Sequence, residues 1–318
     1  MYIVGFDIGG TKSAVLLAKT GGEKVEFLSR KQMPTKGTWQ EVLDALLSEA
    51  EEMLRQNAVP AGEYIAGVSC GGPLDSATGV ILSPPNLPGW DKVPVTTYLG
   101  ERLHCTVRLK NDADACALAE WQYGAGRGTK NMVFMTFGTG LGAGLILNGR
   151  LYSGTNGNAG EVGHFRLAED GPVGYGKAGS FEGFCSGGGI RQIAISKANQ
   201  RMQQGLPVSY MKTDDVHDVT TKDVAEACKR GEADALEVMA LSGHYLGVGL
   251  SYVIDILNPE KIVIGSVFAR AGEFLVPEME KVLKKEALAP SLAACKVVPA
   301  SLGEKIGDYG AVVAALDL

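Results

Sequence analysis

Two glycine-rich segments have residue types and spacing suited to phosphate chemistry. The first is Asp7-Ile8-Gly9-Gly10-Thr11-Lys12 and the second is Gly138-Thr139-Gly140-Leu141-Gly142. Glycine turns present backbone N–H groups to phosphate oxygens without side-chain obstruction, and Asp7 adds a carboxylate able to hold Mg²⁺, directly or through water. A single turn of this kind has a simpler alternative, a tight hairpin without a ligand. Two turns in matching contexts favour phosphate binding.

The dipeptide Asn111-Asp112 stands where a predicted strand ends and a predicted helix begins. On position alone it is an N-cap, for which Asp is a favoured residue. A carboxylate at a strand end is also suited to act as a general base for a sugar hydroxyl. Both roles are compatible, and position alone favours the cap.

A third group of side chains suits a polyhydroxyl ligand. Glu161 and His164 lie in a loop of small residues, and Asn86 and Glu182 extend the set. Carboxylates, amides and imidazoles form the paired hydrogen bonds that vicinal hydroxyls need. His164 has no neighbouring histidine or cysteine pair, so a metal-ligand role for it is disfavoured.

Two further motifs are rejected as accidental. Gly138-x-Gly140-x-x-Ala143 matches the dinucleotide fingerprint, but the residues that follow predict a strand where the fingerprint requires a helix. Gly171 to Lys177 has the spacing of a P-loop, but Ala178 replaces the required Ser or Thr and no strand precedes it.

The elements that must position these residues form a duplicated pattern. Strand-like runs at 2–6 and 13–18 flank the first glycine segment, and runs at 132–137 and 143–147 flank the second. The spacing predicts an amphipathic helix over 40–56 that is capped by Thr38, strands at 64–69, 106–110 and 261–264, and a last helix over about 308–316. We therefore expect two related α/β units that hold a ligand, with residues 153–189 forming an irregular loop.

Composition limits the classes of function. The 318 residues suit two domains, and the net charge of −6 without a basic run disfavours a nucleic-acid partner. No signal peptide is predicted, no apolar run approaches the length needed to span a membrane, and the six cysteines form no C-x-x-C pair. We expect a cytoplasmic protein with reduced thiols and no membrane partner.

Five motifs together give the chain a full-length resemblance to the ROK family of repressors, open reading frames and sugar kinases. They are the two glycine segments, Pro85-Asn86-Leu87-Pro88-Gly89-Trp90, Asn111-Asp112-Ala113, and Gly157-Asn158-Ala159-Gly160-Glu161-Val162-Gly163-His164. The resemblance implies an actin-like ATPase fold (hexokinase-type, RNase H-like), with two α/β domains and an interdomain cleft. We expect an N-terminal domain of residues 1–117, joined by a returning helix at 304–318, and a C-terminal domain of residues 118–303.

The resemblance also assigns roles to residues. It implies ATP and Mg²⁺ as cofactors, Asp112 as general base, and Asp7 on the Mg²⁺ side. The expected sugar-binding residues are Gly72, Asn86, Asn111, Asp112, Glu161, His164 and Glu182. The expected nucleotide-binding residues are Asp7, Gly9, Gly10, Thr11, Lys12, Gly138, Thr139, Gly140, Gly265 and Ser266.

One departure from the family pattern concerns a zinc site. The family usually carries C-x-C-G-x-x-G-C-x-E after the histidine, and here Val173, Tyr175 and Ser180 replace the three cysteines. Valine cannot ligate zinc, and hydroxyls are poor ligands beside thiolates. We expect no structural zinc, and packing by Val173, Tyr175 and Phe181 is the predicted substitute.

The function predicted on these grounds is ATP-dependent phosphorylation of a hexose. The 85–90 segment is similar to the glucokinase loop and favours glucose, with the 6-hydroxyl as acceptor. A kinase for an N-acetylhexosamine and a catalytically idle sugar-binding protein remain alternatives. A sugar-responsive repressor is disfavoured because the first hairpin starts at residue 3, which leaves no room for a winged helix. A homodimer or homotetramer is expected by analogy alone.

Overall fold

The chain alternates strands and helices around two five-stranded sheets. The computed structural model describes residues 1–21 and 24–316. In chain order the strands are Tyr2–Ile8 (β1), Lys12–Thr20 (β2), Val25–Pro34 (β3), Tyr64–Cys70 (β4), Leu74–Asp75 (β5), Val80–Ile81 (β6), Val107–Asn111 (β7), Met132–Met135 (β8), Ala143–Leu147 (β9), Arg150–Leu151 (β10), Val173–Gly174 (β11), Lys177–Ala178 (β12), Lys261–Ile264 (β13) and Lys296–Pro299 (β14). The helices are Trp39–Gln56 (α1), Val95–Leu103 (α2), Asp112–Tyr123 (α3), Phe181–Phe184 (α4), Gly187–Gln203 (α5), Thr221–Lys229 (α6), Ala233–Leu257 (α7), Val267–Ala271 (α8), Val276–Glu286 (α9), Ala289–Ala294 (α10) and Ile306–Ala315 (α11).

The two large sheets have corresponding strand orders. The first sheet has the order β3-β2-β1-β4-β7. Strand β2 pairs antiparallel with β1 and β3, and β4 pairs parallel with β1 and β7. The second is β10-β9-β8-β13-β14, with β9 and β10 antiparallel and β8, β13 and β14 parallel. Each sheet thus begins with antiparallel strands and continues with parallel ones, as the predicted duplication requires.

The chain divides into two compact units. The first contains Met1–Lys130, Gly144–Ala159 and Ser301–Leu318, and the second contains Asn131–Ala143 and Gly160–Ala300. The domain boundary predicted after residue 117 differs from this division because α3 continues without interruption to Tyr123. The segment 144–159 also groups with the first unit.

In the first unit, helices cover both faces of the sheet. Helix α1 begins at a capping box formed by Thr38 and Glu41, as the sequence predicts, and buries the apolar stripe that includes Leu43 and Leu47. On the other face, Ala311 and Ala315 of α11 pack in one cluster with Ile3 and Leu16. The apolar patterns of β1 and β2 therefore produce a sheet buried on both sides.

In the second unit, α7 is the central helix and packs against α5, α6 and α9. Its 25 residues make it long and apolar enough to cross a membrane by length and composition alone, which corrects the expectation that no apolar run approaches that length. Half of its most apolar stretch is buried inside the protein, as in the core helix of a folded domain.

Candidate functional site

The first glycine hairpin joins β1 to β2 and is fixed by Thr35. The Thr35 hydroxyl donates to the carbonyl of Gly9 at 2.6 Å, and the Thr35 N–H donates to the carbonyl of Thr11 at 3.0 Å. A Cβ atom on Gly10 would lie 2.3 Å from the carbonyl oxygen of Asn86, so only glycine fits there. The tip is therefore closed against the loop that carries Asn86, while Thr11 and Lys12 are exposed.

The predicted sugar-binding residues of the first unit gather at the carboxyl ends of β4 and β7. A Cβ atom on Gly71 would lie 3.6 Å from the Asn86 amide nitrogen and 3.7 Å from Asp112 Oδ2. A Cβ atom on Gly72 would lie 3.0 Å from the Asn111 amide nitrogen. The structure thus brings an amide and a carboxylate to one point, beside a backbone that has no side chains to block access.

Asp112 is the first residue of α3, and the N-cap is Asn111. The N–H of Ala113 donates to Asn111 Oδ1 at 2.9 Å and to Asp112 Oδ1 at 2.8 Å. This corrects the assignment of Asp112 as the cap, because Asn111 has the non-helical backbone that a cap requires. Capping therefore leaves the second Asp112 oxygen, Oδ2, on the Gly71 side.

Asp112 is exposed as a whole residue, whereas its carboxyl group is surrounded by protein atoms. The loss of bulk water raises its pKa above the ordinary aspartate value, and the Ala113 N–H opposes this shift. A raised pKa makes the ionised carboxylate a stronger base for a hydroxyl proton.

Asp7 lies at the end of β1 in an environment rich in negative charge. Burial, followed by the charges of Asp112 and Asp308, raises the pKa of Asp7 to about 6, and the Arg30 charge opposes the shift. Arg30 Nε donates to both carboxylate oxygens of Asp308, at 2.8 and 2.9 Å. A Cβ atom on Gly307 would lie 2.5 Å from Asp7 Oδ2, so the start of α11 closes over this carboxylate.

This environment fits a cation held with few protein ligands. Mutual repulsion between Asp7 and Asp112 favours a positive charge nearby, and Mg²⁺ typically takes one or two carboxylates together with waters and phosphate oxygens. Within residues 1–21 and 24–316, no three His, Cys, Asp or Glu side chains form a complete metal-binding group. Asp7 is thus a candidate residue for holding Mg²⁺.

The sequence did not reveal three residues that shape this site, which are Arg30, Thr35 and Asp308. Arg30 and Asp308 are 278 positions apart, and no local pattern links them. Thr35 follows β3, a strand that the sequence pattern did not predict.

The second glycine turn lies between β8 and β9 and is held by Glu182. The N–H of Leu141 donates to Glu182 Oε2 at 2.9 Å, and a Cβ atom on Gly140 would lie 2.7 Å from the same oxygen. Glu182 therefore supports the turn, a contact that its predicted sugar-binding role did not include.

The other predicted nucleotide-binding residues of the second unit lie beside this turn. A Cβ atom on Gly138 would be 3.6 Å from the Ser266 hydroxyl, and the N–H of Gly265 donates to the carbonyl of Met135 at 2.9 Å. Ser266 has a φ of 51° and ψ of −112°, a conformation that glycine adopts more readily than serine. The residues after this turn form strand β9, as the sequence predicts, and not the helix that a dinucleotide fingerprint requires.

Glu161 immediately precedes a single 3₁₀ turn, Val162–His164, and His164 is the last residue of that turn. Gly163 lies between the second glycine turn and Glu182, since a Cβ atom there would be 2.2 Å from the Leu141 carbonyl and 3.4 Å from Glu182 Cβ. The structure therefore groups Glu161, His164 and Glu182 in the second unit, and Gly72, Asn86, Asn111 and Asp112 in the first.

The predicted substitute for the zinc site is wrong in part. Phe181 is fully buried, but Val173 and Tyr175 are 48% and 65% exposed and do not form a packed core. Cys185 is buried and its thiol donates to the carbonyl of Ser242 at 3.4 Å. Residues 173–178 form the hairpin β11–β12, whereas the sequence predicted an irregular loop.

Comparison with known proteins places this geometry in a family. Residues 3–317 match the profile of the ROK family. A glucokinase of Halalkalibacterium halodurans is 33% identical over 97% of this chain and 93% of its own length. The crystal structure of a ROK family glucokinase from Streptomyces griseus in complex with glucose and AMPPNP is 26% identical, with a TM-score of 0.79 and 99% of each chain covered.

Repressors are also similar to this chain. The xylose repressor of Caldicellulosiruptor bescii is 25% identical over 98% of this chain and 77% of its own length. The matches as a whole confirm the predicted fold class, an actin-like ATPase fold of the hexokinase type.

Proposed function

Because the chain belongs to the ROK family, we propose that it is an ATP-dependent kinase that phosphorylates the 6-hydroxyl of a glucose-like hexose, with Asp112 as general base. Glucokinase relatives at 28–33% identity support the coarser activity, an ATP-dependent hexose kinase. The choice of sugar and the role of Asp112 are the finer parts of the proposal.

The observation that carries the proposal is the convergence of Asp112 Oδ2 and the Asn86 amide beside Gly71. The amide can donate to and accept from a sugar hydroxyl, while the carboxylate accepts only. A hydroxyl bound there would be oriented by Asn86 and would transfer its proton to Asp112 as it attacks phosphorus. The raised pKa of Asp112 favours that proton transfer.

The remaining site residues receive roles consistent with their positions. Gly72, Asn111, Glu161, His164 and Glu182 would complete the set of sugar-binding residues, with Glu182 also supporting the second glycine turn. The hairpin residues Gly9, Gly10, Thr11 and Lys12, together with Gly138, Thr139 and Gly140, would hold phosphates. Gly265 and Ser266 would lie near the adenosine.

ATP supplies the phosphoryl group, and Mg²⁺ bound with it neutralises phosphate charge. Asp7 would hold that ion, directly or through water, which would offset the burial and the charge repulsion that together raise the pKa of Asp7. We also infer a cytoplasmic location, and assembly as a homodimer or homotetramer remains a prediction.

The test is a coupled assay of ADP release with Mg²⁺-ATP over a panel of hexoses and N-acetylhexosamines. Asp112→Asn and Asp112→Ala should lower turnover by roughly 10²- to 10⁴-fold, the usual contribution of a general base, and leave much of the sugar affinity. Asp44→Asn is a matched control, because Asp44 is an exposed carboxylate bound by Tyr98 and Arg102. We expect that variant to keep the wild-type rate.

Three outcomes would change the proposal. Near-normal turnover in Asp112→Asn would remove the general-base role. Preference for an N-acetylhexosamine would replace the substrate but keep the reaction. If no sugar gave turnover and one raised the melting temperature, the protein would be a sugar-binding protein without kinase activity.

A further inference from the structure

The segment 173–180 differs from its family in a way that affects His164. Val173, Tyr175 and Ser180 stand where the family pattern has cysteines, and these side chains do not fit a tetrahedral zinc site. Each of the three positions instead makes a contact that restrains the loop without a metal.

The first position is clamped through its backbone. Gln192, on α5, accepts a hydrogen bond from the Val173 N–H through Oε1 and donates to the Val173 carbonyl through Nε2, both at 2.9 Å. A side-chain amide that satisfies both backbone groups of one residue acts as an additional strand partner. Strand β11 is therefore held while the valine side chain stays exposed.

The second position combines strain with an aromatic contact. Tyr175 and Gly176 form the two-residue turn of the β11–β12 hairpin, with φ of 44° and 76°. Such turns favour Asn or Gly at both positions, and a bulky residue there is strained. The Tyr175 ring lies edge-on to the His164 imidazole, with ring centroids 5.1 Å apart. An exposed, strained tyrosine that contacts a proposed sugar-binding residue points to a role in function.

The strand that follows the turn reaches His164 a second time. Lys177 Nζ donates to the His164 carbonyl at 2.7 Å. The third position, Ser180, is buried and caps α4 by accepting from the Gly183 N–H at 3.0 Å. The hairpin is thus fixed at both ends. Lys177 contacts the backbone carbonyl of His164, and Tyr175 contacts its imidazole ring.

We propose that Lys177 and Tyr175 are positioning residues that hold His164 for sugar binding without a metal, and that Gln192 fixes the strand from which they project. This inference rests on the proposed function, since it assigns the sugar-binding role to His164. In place of a metal, the loop has a charged hydrogen bond from Lys177, a ring contact from Tyr175 and two hydrogen bonds from the Gln192 amide, all within the second unit.

The test compares Lys177→Met with Lys177→Arg. Lys197→Met is the matched control, because Lys197 binds Glu237 on the same unit, outside the loop. A hydrogen bond from a charged group is substantial, so we expect the KM for sugar to rise roughly tenfold or more in Lys177→Met. The KM for ATP should stay unchanged, and Lys177→Arg, which keeps a charged donor, should recover most of the sugar affinity. Dialysis against a chelator, followed by return to Mg²⁺, should leave the sugar KM of the wild type unchanged.

A second readout does not depend on kinase activity. Backbone hydrogen exchange of residues 162–166 should accelerate in Lys177→Met and not in Lys197→Met, and chelator should leave the wild-type rates unchanged. Unchanged exchange in Lys177→Met, or stoichiometric zinc whose removal accelerates exchange, would overturn the proposal. If no sugar were phosphorylated by the wild type, the proposed function would fail, while the exchange data would still decide whether Lys177 holds this loop.

Discussion

Replacing Asp7 by asparagine should stabilise the protein at alkaline pH, although we expect it to remove turnover. The pKa of Asp7 rises from 3.8 to about 6 on folding, because the carboxyl is buried near Asp112 and Asp308. Below pH 3.8 the group is neutral in both states, so the folded protein bears no penalty. Between pH 3.8 and about 6 the unfolded chain ionises Asp7 while the folded state keeps the carboxyl protonated, so stability is lost across this interval and the loss is complete above pH 6. The neutral amide avoids that loss.

The size of the effect follows from the shift. About two pKa units at 1.36 kcal/mol each give a gain of about 3 kcal/mol for Asp7→Asn at pH 8, falling to about 0.5 kcal/mol at pH 4. That is a large fraction of the free energy of unfolding of a typical protein, about 5–15 kcal/mol. The gain should therefore be visible as a clear rise in the urea midpoint at pH 8.

The assay is urea unfolding followed by tryptophan fluorescence. The three tryptophans, Trp39, Trp90 and Trp121, all lie in the first unit, so the signal reports the unit that contains Asp7. Asp44→Asn again serves as the control and should leave the midpoint unchanged. An unchanged midpoint for Asp7→Asn at pH 8, or an equal gain at pH 4 and pH 8, would refute the reasoning, because the penalty would then not come from ionisation of Asp7.

Two further substitutions test the backbone at the site. Gly307→Ala should destabilise the first unit by about 1–3 kcal/mol, the usual cost of overpacking, because its Cβ would lie 2.5 Å from Asp7 Oδ2. Gly21→Ala is the control: Gly21 has open space around it, so this substitution should leave the urea midpoint unchanged. Ser266→Gly should stabilise the protein by about 1 kcal/mol because it relieves an unfavourable φ of 51°. A rise in the melting temperature, followed by circular dichroism, would support this. A fall would show that the serine side chain makes a compensating contact.

Local patterns predicted most of the elements and failed where contacts are distant in sequence. The capping box at Thr38, the two hairpins and the strand Lys261–Ile264 follow from signals within a few residues. Helical periodicity is continuous over residues 222–257 of the sequence, yet the structure has two helices there, α6 and α7, separated at Gly231, whose φ is 79°. Apolar periodicity continues across this break and so does not reveal it.

In the candidate site, too, local motifs were predictable and contacts between distant residues were not. Motif residues such as Asp112 and Asn86 were identified because each stands at the end of an element or in a recognisable loop. The contribution of Glu182 to the second glycine turn could not be predicted, because its partner Leu141 lies 41 positions away. The hairpin β11–β12 was also missed, since its turn uses a tyrosine where turn rules favour Asn or Gly.

The placement of α11 also affects how the chain is made. Strands β1 and β2 are synthesised long before α11, the helix that covers Ile3 and Leu16. During synthesis one apolar face of the first sheet therefore lacks its native cover until α11 has been made, a situation that favours chaperone capture or aggregation. A circular permutant that begins near Ser301 would make α11 first, and it should shorten the period in which this face is uncovered.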